Sequence, residues 1–332
     1  MSKKKYIIGV DGGNTKTDYF LFDTGGNFIE HIKDGTCSHE HVGYKKAEEI
    51  LNANIDALTG RNNITRSEIA AGVFGLAGID TKPQLREFVK IMDRMGFVYA
   101  VDNDSFLGIV AGTTKGYGIC SINGTGTVSG GIDPHGGRHQ TGGLGMLTGD
   151  DAGGVYIAHL CARLVYDSFF RCGEPTVMAE AVFSFLGITD PDDLMQAYCE
   201  AGQKLASTKM ARIVFDAAAE NDKAALEALD SSAKQLAKTS AGCARSLNFD
   251  AEIEIVLAGS VWVKAECPVL VEGYKKYMAE LLPDKTLKYN ILRVPPATGA
   301  VLWALSLTGI DPFTEPTRQK VIKAVEERLV YN

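Results

Sequence analysis

The feature that most constrains the fold is a pair of turns rich in glycine and threonine, each next to short apolar segments. The first turn, Asp11 to Thr17, separates Tyr6–Val10 from Tyr19–Phe22, and both segments are typical of β-strands. The second turn, Asn123 to Ser129, follows the apolar segment Tyr117–Ile122 and leads into a return strand. The pattern predicts two β-hairpins at equivalent positions of a weak internal repeat, and therefore a duplicated lobe.

Strand and helix patterns alternate along the rest of the chain, which predicts an α/β fold. At 332 residues the chain exceeds the size at which a single hydrophobic core usually stops growing. We therefore expect an N-terminal lobe over residues 1–113 and a C-terminal lobe over residues 114–315, with a helical insertion at about 155–247. The charged helix predicted over residues 316–332 is a candidate to pack back on the N-terminal lobe.

The composition disfavours several classes of protein. An apolar fraction of 45% and a charged fraction of 23% are typical of a folded globular protein. The net charge of -7 disfavours nucleic acid as a partner and favours a small-molecule ligand. No apolar segment approaches the length of a membrane span, so no membrane partner is expected. The seven cysteines lack Cys-x-x-Cys spacing, which predicts free thiols in a cytoplasmic protein. They are Cys37, Cys120, Cys161, Cys172, Cys199, Cys243 and Cys267.

The two turns suit phosphate chemically. Glycine lacks a Cβ, so backbone N–H groups can approach phosphate oxygens, and threonine hydroxyls add further donors. The chain has no Walker A motif, and Gly124-Thr-Gly126 precedes a strand instead of the helix that a dinucleotide-binding motif requires. One such turn could simply reverse the chain, but two at repeat-related positions favour ATP bound between the lobes. The candidate phosphate-binding residues are Gly12, Gly13, Asn14, Thr15, Lys16 and Thr17 in the first turn and Gly124, Thr125 and Gly126 in the second.

Asp11 lies at the end of the first predicted strand, directly before the first turn. A carboxylate at this position could hold a hydrated Mg²⁺ against the phosphates. The alternative is that Asp11 only stabilises its own turn.

An ordered set of motifs over nearly the whole chain resembles N-acetylglucosamine kinases. The motifs are Ile8–Thr17, Asp102-Asn-Asp104, Ser121–Gly126, Gly142–Gly145 with Gly149–Asp151, Leu257–Ser260 and Gly299-Ala300. These kinases group with the ATPase subunits of benzoyl-CoA reductases in the BadF/BadG/BcrA/BcrD ATPase family. The resemblance implies two actin-like, or ribonuclease H-like, lobes with an ATP cleft between them. It also implies that Gly259 and Ser260 lie beside the adenosine.

The resemblance implies that Asp104 is the catalytic aspartate, the base that accepts the proton of the acceptor hydroxyl. From the residues alone Asp102 is an equal candidate, because strand alternation would place both side chains on one face if the strand continued that far. Asp104 could also act as the N-cap of the following helix.

The resemblance further implies that Asp150 binds sugar hydroxyls, with Gly143 and Leu144 in the same loop and Ser38 and His39 in a second substrate loop. The chain departs from the family in both loops. The family usually has Asn where this chain has Ser38-His39, and the human-type enzymes have an aromatic residue at the position of Leu144. Both changes leave the acceptor sugar open.

These features favour an ATP- and Mg²⁺-dependent kinase of a sugar or amino sugar similar to N-acetylglucosamine, which the resemblance makes a candidate homodimer. The alternative is an ATPase that drives a partner enzyme of the acyl-CoA reductase or dehydratase type. Such activators carry a cysteine-ligated iron–sulfur cluster, and the sequence leaves Cys120 and Cys161 open as ligands. A regulator that only senses ATP or sugar is disfavoured by the presence of Asp104.

Overall fold

The computed structural model describes residues 5–264 and 268–329, with the side chain of Lys264 left aside. It contains two five-stranded mixed sheets with helices packed around them, which confirms the predicted α/β fold class. Among the helices of the described residues, none is both long and apolar enough to cross a bilayer.

The first sheet is formed entirely by the N-terminal part of the chain. Its strands are β1 (Tyr6–Gly12), β2 (Lys16–Asp23), β3 (Phe28–Gly35), β4 (Ile69–Leu76) and β5 (Val98–Asp102). They lie in the order β3-β2-β1-β4-β5. The strands β1, β2 and β3 form an antiparallel meander, while β4 and β5 run parallel to β1.

The second sheet repeats this arrangement. Its strands are β6 (Gly118–Asn123), β7 (Thr127–Ile132), β8 (Arg138–Gly142), β9 (Glu252–Ala258) and β10 (Thr286–Ile291). The order β8-β7-β6-β9-β10 matches that of the first sheet strand for strand. Both predicted glycine hairpins and the internal repeat are therefore confirmed. Strand β8 was not predicted, since its sequence, Arg-His-Gln-Thr-Gly, contains no apolar side chain.

The helices fall into three groups by position along the chain. Those of the N-terminal part are α1 (His39–Arg61), α2 (Lys82–Met92) and α3 (Ser105–Gly112). Those between β8 and β9 are α4 (Gly154–Phe170), α5 (Met178–Leu186), α6 (Leu194–Ala201), α7 (Thr208–Ala219) and α8 (Lys223–Arg245). Those after β9 are α9 (Ser260–Lys264), α10 (Pro268–Leu281), α11 (Ala297–Ser306) and α12 (Glu315–Leu329).

Helices α3 and α11 cross between the sheets, and each packs on the sheet of the other half. Helix α11 lies on β1 and β4, and α3 lies on β6 and β7. At the crossing, a Cβ on Gly299 would lie 2.0 Å from the backbone oxygen of Leu107. Only glycine permits this approach, and a buried apolar cluster that includes Leu107 and Val301 surrounds it.

The last two helices lie on the first sheet, although they follow the second sheet in sequence. Helix α11 contacts β1 and β4 directly, and α12 packs on α11 and β3 through its buried residues Val321 and Val325. The Lys320 ammonium donates a hydrogen bond to the backbone oxygen of Gly25 at 3.0 Å. The predicted boundary between residues 113 and 114 stays a prediction, but a lobe defined by packing would place α11 and α12 with the first sheet.

A substitution at the helix crossing tests this arrangement. We expect Gly299→Ala to destabilise the protein by about 3 kcal/mol, because the new methyl group overlaps a backbone oxygen that cannot move without separating α3 from α11. The matched control is Gly60→Ala near the end of α1, where a Cβ meets no atom within 4 Å. Urea unfolding should show the loss for Gly299→Ala alone; equal stabilities for the two variants would contradict the role of the crossing.

Candidate functional site

The first hairpin presents an open tip on a fixed base. The backbone N–H of Gly13 donates to the oxygen of Lys16 at 2.8 Å and closes the turn. Asn14, Thr15 and Lys16 are exposed at its tip, while Thr17 is buried and hydrogen-bonds through Oγ1 to Cys37. The tip therefore offers backbone and side-chain donors to a ligand.

The second hairpin is held by the elements around it. The backbone N–H groups of Gly154 and Val155, at the start of α4, donate to the oxygens of Gly124 and Thr125 at 2.7 and 3.1 Å. Gly259 has a φ of +101°, and a Cβ there would lie 2.5 Å from the backbone oxygen of Asn123. The end of β9 is thereby pressed against the turn, which brings Ser260 next to it.

A cavity of about 350 Å³ opens beside the second hairpin. It is lined by Gly124, Thr125, Gly154, Val155, Ala206, Ser207, Thr208, Ala211, Arg212, Phe215, Ser260 and Val261. The structure thus brings together the predicted residues Gly124, Thr125 and Ser260. The α7 side of the cavity was missed by the sequence analysis, because α7 has the apolar pattern of any packed helix and carries no motif.

Asp11 lies at the end of β1, where the backbone N–H of Ala297 at the start of α11 hydrogen-bonds to it. Burial, and then the negative charges of Asp104 and Asp18, raise the pKa of Asp11 to about 7. Lys16 opposes this shift but forms its ion pair with Asp18, at 2.8 Å. Among the residues that the structure describes, no cation pairs with Asp11.

Asp104 precedes the first residue of α3, but its side chain makes no capping hydrogen bond. Oδ1 of Asn103 accepts the N–H of Ser105 at 2.9 Å instead. Burial, and then the negative charge of Asp80, raise the pKa of Asp104 to about 6. Asp104 is electrostatically coupled to Asp11, so the two carboxyl groups belong to one region between the sheets.

Asp102 has a different environment from Asp104. Strand β5 ends at Asp102, so the strand alternation that would give both side chains one direction does not reach Asp104. The guanidinium of Arg138 pairs with Oδ2 of Asp102 at 3.3 Å and lies over the ring of Trp303, 4.6 Å from its centroid. Asp102 is therefore paired with Arg138, although burial still raises its pKa. Asp104 is the carboxylate left without a cation among the described residues.

Asp150 organises the glycine loop after β8. Its Oδ2 accepts hydrogen bonds from the N–H of Gly143 at 2.8 Å and from Oγ1 of Thr148 at 2.7 Å. Its Oδ1 is buried and has no hydrogen-bond partner in the described residues. Gly143 and Asp150 are thus brought together, and Leu144 beside them is 49% exposed.

Ser38 and His39 lie at the start of α1. The segment predicted as a loop is a single helical turn, which ends where Gly43 adopts a φ of 76°. The imidazole of His39 stacks on Tyr44 with ring centroids 4.5 Å apart, and burial lowers the pKa of His39, which favours a neutral ring. Ser38 is 1% exposed, and its Oγ has no partner among the described residues.

Asp80 is a site residue that the sequence analysis missed. Its Oδ1 accepts hydrogen bonds from Nε2 of Gln140 at 2.8 Å and from Nδ2 of Asn103 at 3.1 Å. A Cβ on Gly143 would lie 3.0 Å from the same oxygen. Asp80 therefore joins the Asp104 segment to the Asp150 loop. Its position shortly after the parallel strand β4 was the available signal, because ligands bind beyond the carboxyl ends of such strands.

The cysteines give no sign of a cluster in the described part of the chain. Cys120 and Cys161 are both buried, but they belong to different apolar clusters. The exposed thiols in the described part of the chain are those of Cys172 and Cys199. No three His, Cys, Asp or Glu side chains of the described residues are close enough together to hold a metal ion. Cys267 lies outside those residues.

Sequence comparison relates the chain to a family of ATPases and to kinases. A model of the BadF/BadG/BcrA/BcrD ATPase family matches residues 8–304. The N-acetylmuramic acid/N-acetylglucosamine kinase of Clostridium acetobutylicum is 24% identical to the chain over 306 residues, which are 91% of this chain and 99% of that protein.

Solved structures share the fold. A candidate N-acetylglucosamine kinase of Chromobacterium violaceum matches with a TM-score of 0.61 and 22% identity, over 92% of this chain and 99% of that one. A ROK family glucokinase from Streptomyces griseus, solved with glucose and AMPPNP, matches with a TM-score of 0.52 and 16% identity, over 89% of this chain and 97% of that one. The architecture is that of the actin-like ATPases and sugar kinases.

The raised pKa of Asp11 predicts a dependence of stability on pH. With its pKa near 7, folded Asp11 keeps a proton that the unfolded chain loses from about pH 4 upward, so stability falls as the pH rises through that window. Asp11→Asn mimics the neutral acid. We expect its effect on the free energy of unfolding to become more stabilising by on the order of 2 kcal/mol between pH 5 and pH 8.

Chemical denaturation at several pH values measures this difference. The control is Glu280→Gln on the exposed face of α10, which removes a surface carboxylate instead. A pH-independent effect of Asp11→Asn would show that the Asp11 carboxyl ionises in the usual acidic range.

Proposed function

The chain belongs to the BadF/BadG/BcrA/BcrD ATPase family, and we propose that it is an ATP-dependent kinase that phosphorylates a hydroxyl of a sugar or amino sugar. One observation carries the proposal: Asp104, without a cation among the described residues, is coupled to Asp11 beside the first hairpin and to Asp80 beside the Asp150 loop. Asp104 therefore lies between the proposed phosphate site and the proposed acceptor site, which is the position that a catalytic base requires.

The hairpins and the cavity are the features that favour ATP as the nucleotide ligand. The exposed tip of the first hairpin and the turn at Gly124 supply backbone donors for phosphate oxygens. The cavity between Ser260 and α7 has the volume expected of a small-ligand pocket and is lined mainly by small and apolar residues, with Phe215 as its aromatic side. We assign the base and ribose of ATP to it.

Asp11 is the residue that fits a Mg²⁺ ion held through water. Its half-buried carboxylate has no cation partner in the described residues. Hydrated Mg²⁺ is commonly bound through one or two carboxylates together with substrate phosphates. A bound Mg²⁺ would neutralise charge on the transferring phosphate. It would also favour ionised Asp11, whose proton is otherwise retained near neutral pH.

In the transfer, the acceptor oxygen forms a bond to the γ-phosphorus while the bond to the ADP oxygen breaks, and the hydroxyl proton passes to Asp104. A pKa raised to about 6 makes Asp104 a stronger base than an exposed aspartate, yet leaves it mostly ionised at neutral pH. Asp150 has one buried oxygen without a partner among the described residues, so it is suited to accept a hydrogen bond from a second hydroxyl and orient the acceptor.

The relatives support a sugar as the acceptor. The Clostridium acetobutylicum relative is named as a kinase of two amino sugars, and it aligns over almost its full length. The alternative, an ATPase that drives a partner enzyme, requires cluster ligands at an interface, whereas Cys120 and Cys161 lie in the interior. Stoichiometric iron in anaerobically purified protein would favour that alternative.

Substituting Asp104 and Asp102 one at a time separates a catalytic role from a structural one. We expect Asp104→Asn to lower kcat by roughly a hundredfold or more with little change in KM, because the amide cannot accept the proton. Asp102→Asn should weaken folding through the loss of its ion pair with Arg138, yet retain most of kcat. Release of ADP with a panel of hexoses and hexosamines measures both variants. Equal loss of kcat in both would remove Asp104 from its assigned role.

Filling the cavity tests the nucleotide site independently of the acceptor. Ala206→Trp places an indole in the cavity and should raise KM for ATP by about tenfold or more, since a bulky side chain competes for the space of the base. Ala279→Trp on the exposed side of α10 is the matched control. Binding of a fluorescent ATP analogue provides the measurement; unchanged affinity in Ala206→Trp would place the nucleotide elsewhere.

A further inference from the structure

Four carboxyl groups surround the acceptor end of the cleft, and we name them the acidic group: Glu40, Asp80, Asp104 and Asp150. They come from four separate segments. After burial, the charges of Glu40 and Asp150 raise the pKa of Asp80, and after burial the charge of Asp80 raises the pKa of Asp104. Each of the other three carboxyl groups therefore interacts with Asp80.

No cation of the described residues compensates the acidic group. None of its members forms an ion pair within 4.0 Å. Arg138 pairs with Asp102, and Lys16 pairs with Asp18. His39 also faces Asp80, but the burial of its ring favours the neutral form. Among the described residues, the acceptor end therefore has acidic side chains without cationic partners.

Two buried polar atoms in this region have no partner among the described residues and so point to a ligand. Asp150 is 7% exposed and Ser38 is 1% exposed, and neither Oδ1 of Asp150 nor Oγ of Ser38 is hydrogen-bonded within the described part of the chain. Ser38 Oγ and the carboxyl carbon of Glu40 both lie 3.1 Å from the point where a Cβ on Gly78 would be. Leaving such groups unpaired is costly, so a ligand rich in donors would be stabilised here.

The carboxylate of Asp80 is held in place by two hydrogen bonds. The amides of Gln140 and Asn103 both donate to Oδ1, which leaves Oδ2 without a hydrogen bond among the described residues. The three side chains come from different segments, so the position of the carboxylate is set by tertiary structure. A carboxylate held in this way binds an ammonium group more strongly than it binds the N–H of a neutral amide, because the hydrogen bond to an ammonium group joins two charged partners.

We propose that the preferred acceptor is a cationic amino sugar, a hexosamine with a free amine, whose ammonium group is bound by Asp80 with support from Glu40. This inference rests on the proposed kinase function and names its substrate class. An acetylated amine carries no charge and gains less from Asp80, and a sugar acid is repelled by the whole acidic group. Discrimination against a sugar acid should therefore exceed discrimination against a neutral sugar. This chain then differs in preference from the Clostridium acetobutylicum relative, which is named for N-acetylmuramic acid and N-acetylglucosamine.

The first test compares acceptors on the unmodified protein. We expect kcat/KM for glucosamine to exceed that for N-acetylglucosamine and glucose by at least about tenfold, and N-acetylmuramic acid to be the poorest of the four. Raising the pH to deprotonate the amine should reduce the advantage of glucosamine over glucose. A higher kcat/KM for N-acetylglucosamine would overturn the inference and leave the kinase proposal standing, whereas failure of all four sugars would count against the kinase proposal itself.

The second test removes the charge of Asp80 and keeps its shape. In Asp80→Asn, the remaining oxygen can still accept the bonds from Gln140 and Asn103. The ratio of kcat/KM for glucosamine to that for glucose should fall by about tenfold or more, mainly through KM, and Glu40→Gln should lower the same ratio to a smaller extent. Glu280→Gln serves as the control for a lost surface charge. An unchanged ratio in Asp80→Asn would overturn the inference, because a merely structural role would affect both sugars alike.

Discussion

The close approach of α3 and α11 is the contact on which the cleft depends. The missing Cβ of Gly299 lets the two helices meet at the backbone, and each then reaches the sheet of the other half. The start of α11 thereby meets the end of β1 at Asp11, and the start of α3 carries Asp104. Both helices direct their positive N-terminal ends toward the region where the two carboxyl groups interact. A wider crossing would separate these helix ends and with them the proposed base and the proposed metal-binding carboxylate.

Concentrating carboxyl groups at this crossing is costly in the absence of ligands. Asp11 and Asp104 both have raised pKa values because they are buried beside other negative groups. The protein neutralises the neighbouring acids internally, Asp18 with Lys16 and Asp102 with Arg138. The acids left without such partners among the described residues are those next to the hairpin tip and the glycine loop. The distribution of ion pairs, more than the number of acids, therefore separates structural carboxylates from those available to ligands.

The features that sequence could predict were the local ones. The hairpins follow from apolar segments and glycine turns within a few residues, and the repeat follows from their similarity. The position of α11 and α12 on the first sheet could not be predicted in this way, because it depends on contacts between segments far apart in sequence. The same is true of Asp80 and of α7 beside the cavity. The choice between Asp102 and Asp104 was open in the sequence, since it depends on where β5 ends and on Arg138, which is distant along the chain.

The two ends of the cleft differ in how they are built. The proposed nucleotide pocket is lined from one half alone, by the second hairpin, the start of α4, Ser260 and α7. The acceptor end combines Asp150 from that half with Ser38 and Asp80 from the other. Because α3 packs on β6 and β7, Asp104 is tied to the half that carries the nucleotide pocket. Asp80 accepts hydrogen bonds from Asn103 of the first half and from Gln140 of the second, so a relative movement of the halves would strain or break one of these bonds. Recognition of the acceptor would then be the step that responds to closure of the cleft, and a sugar that fails to bind Asp80 would fail to stabilise the closed form.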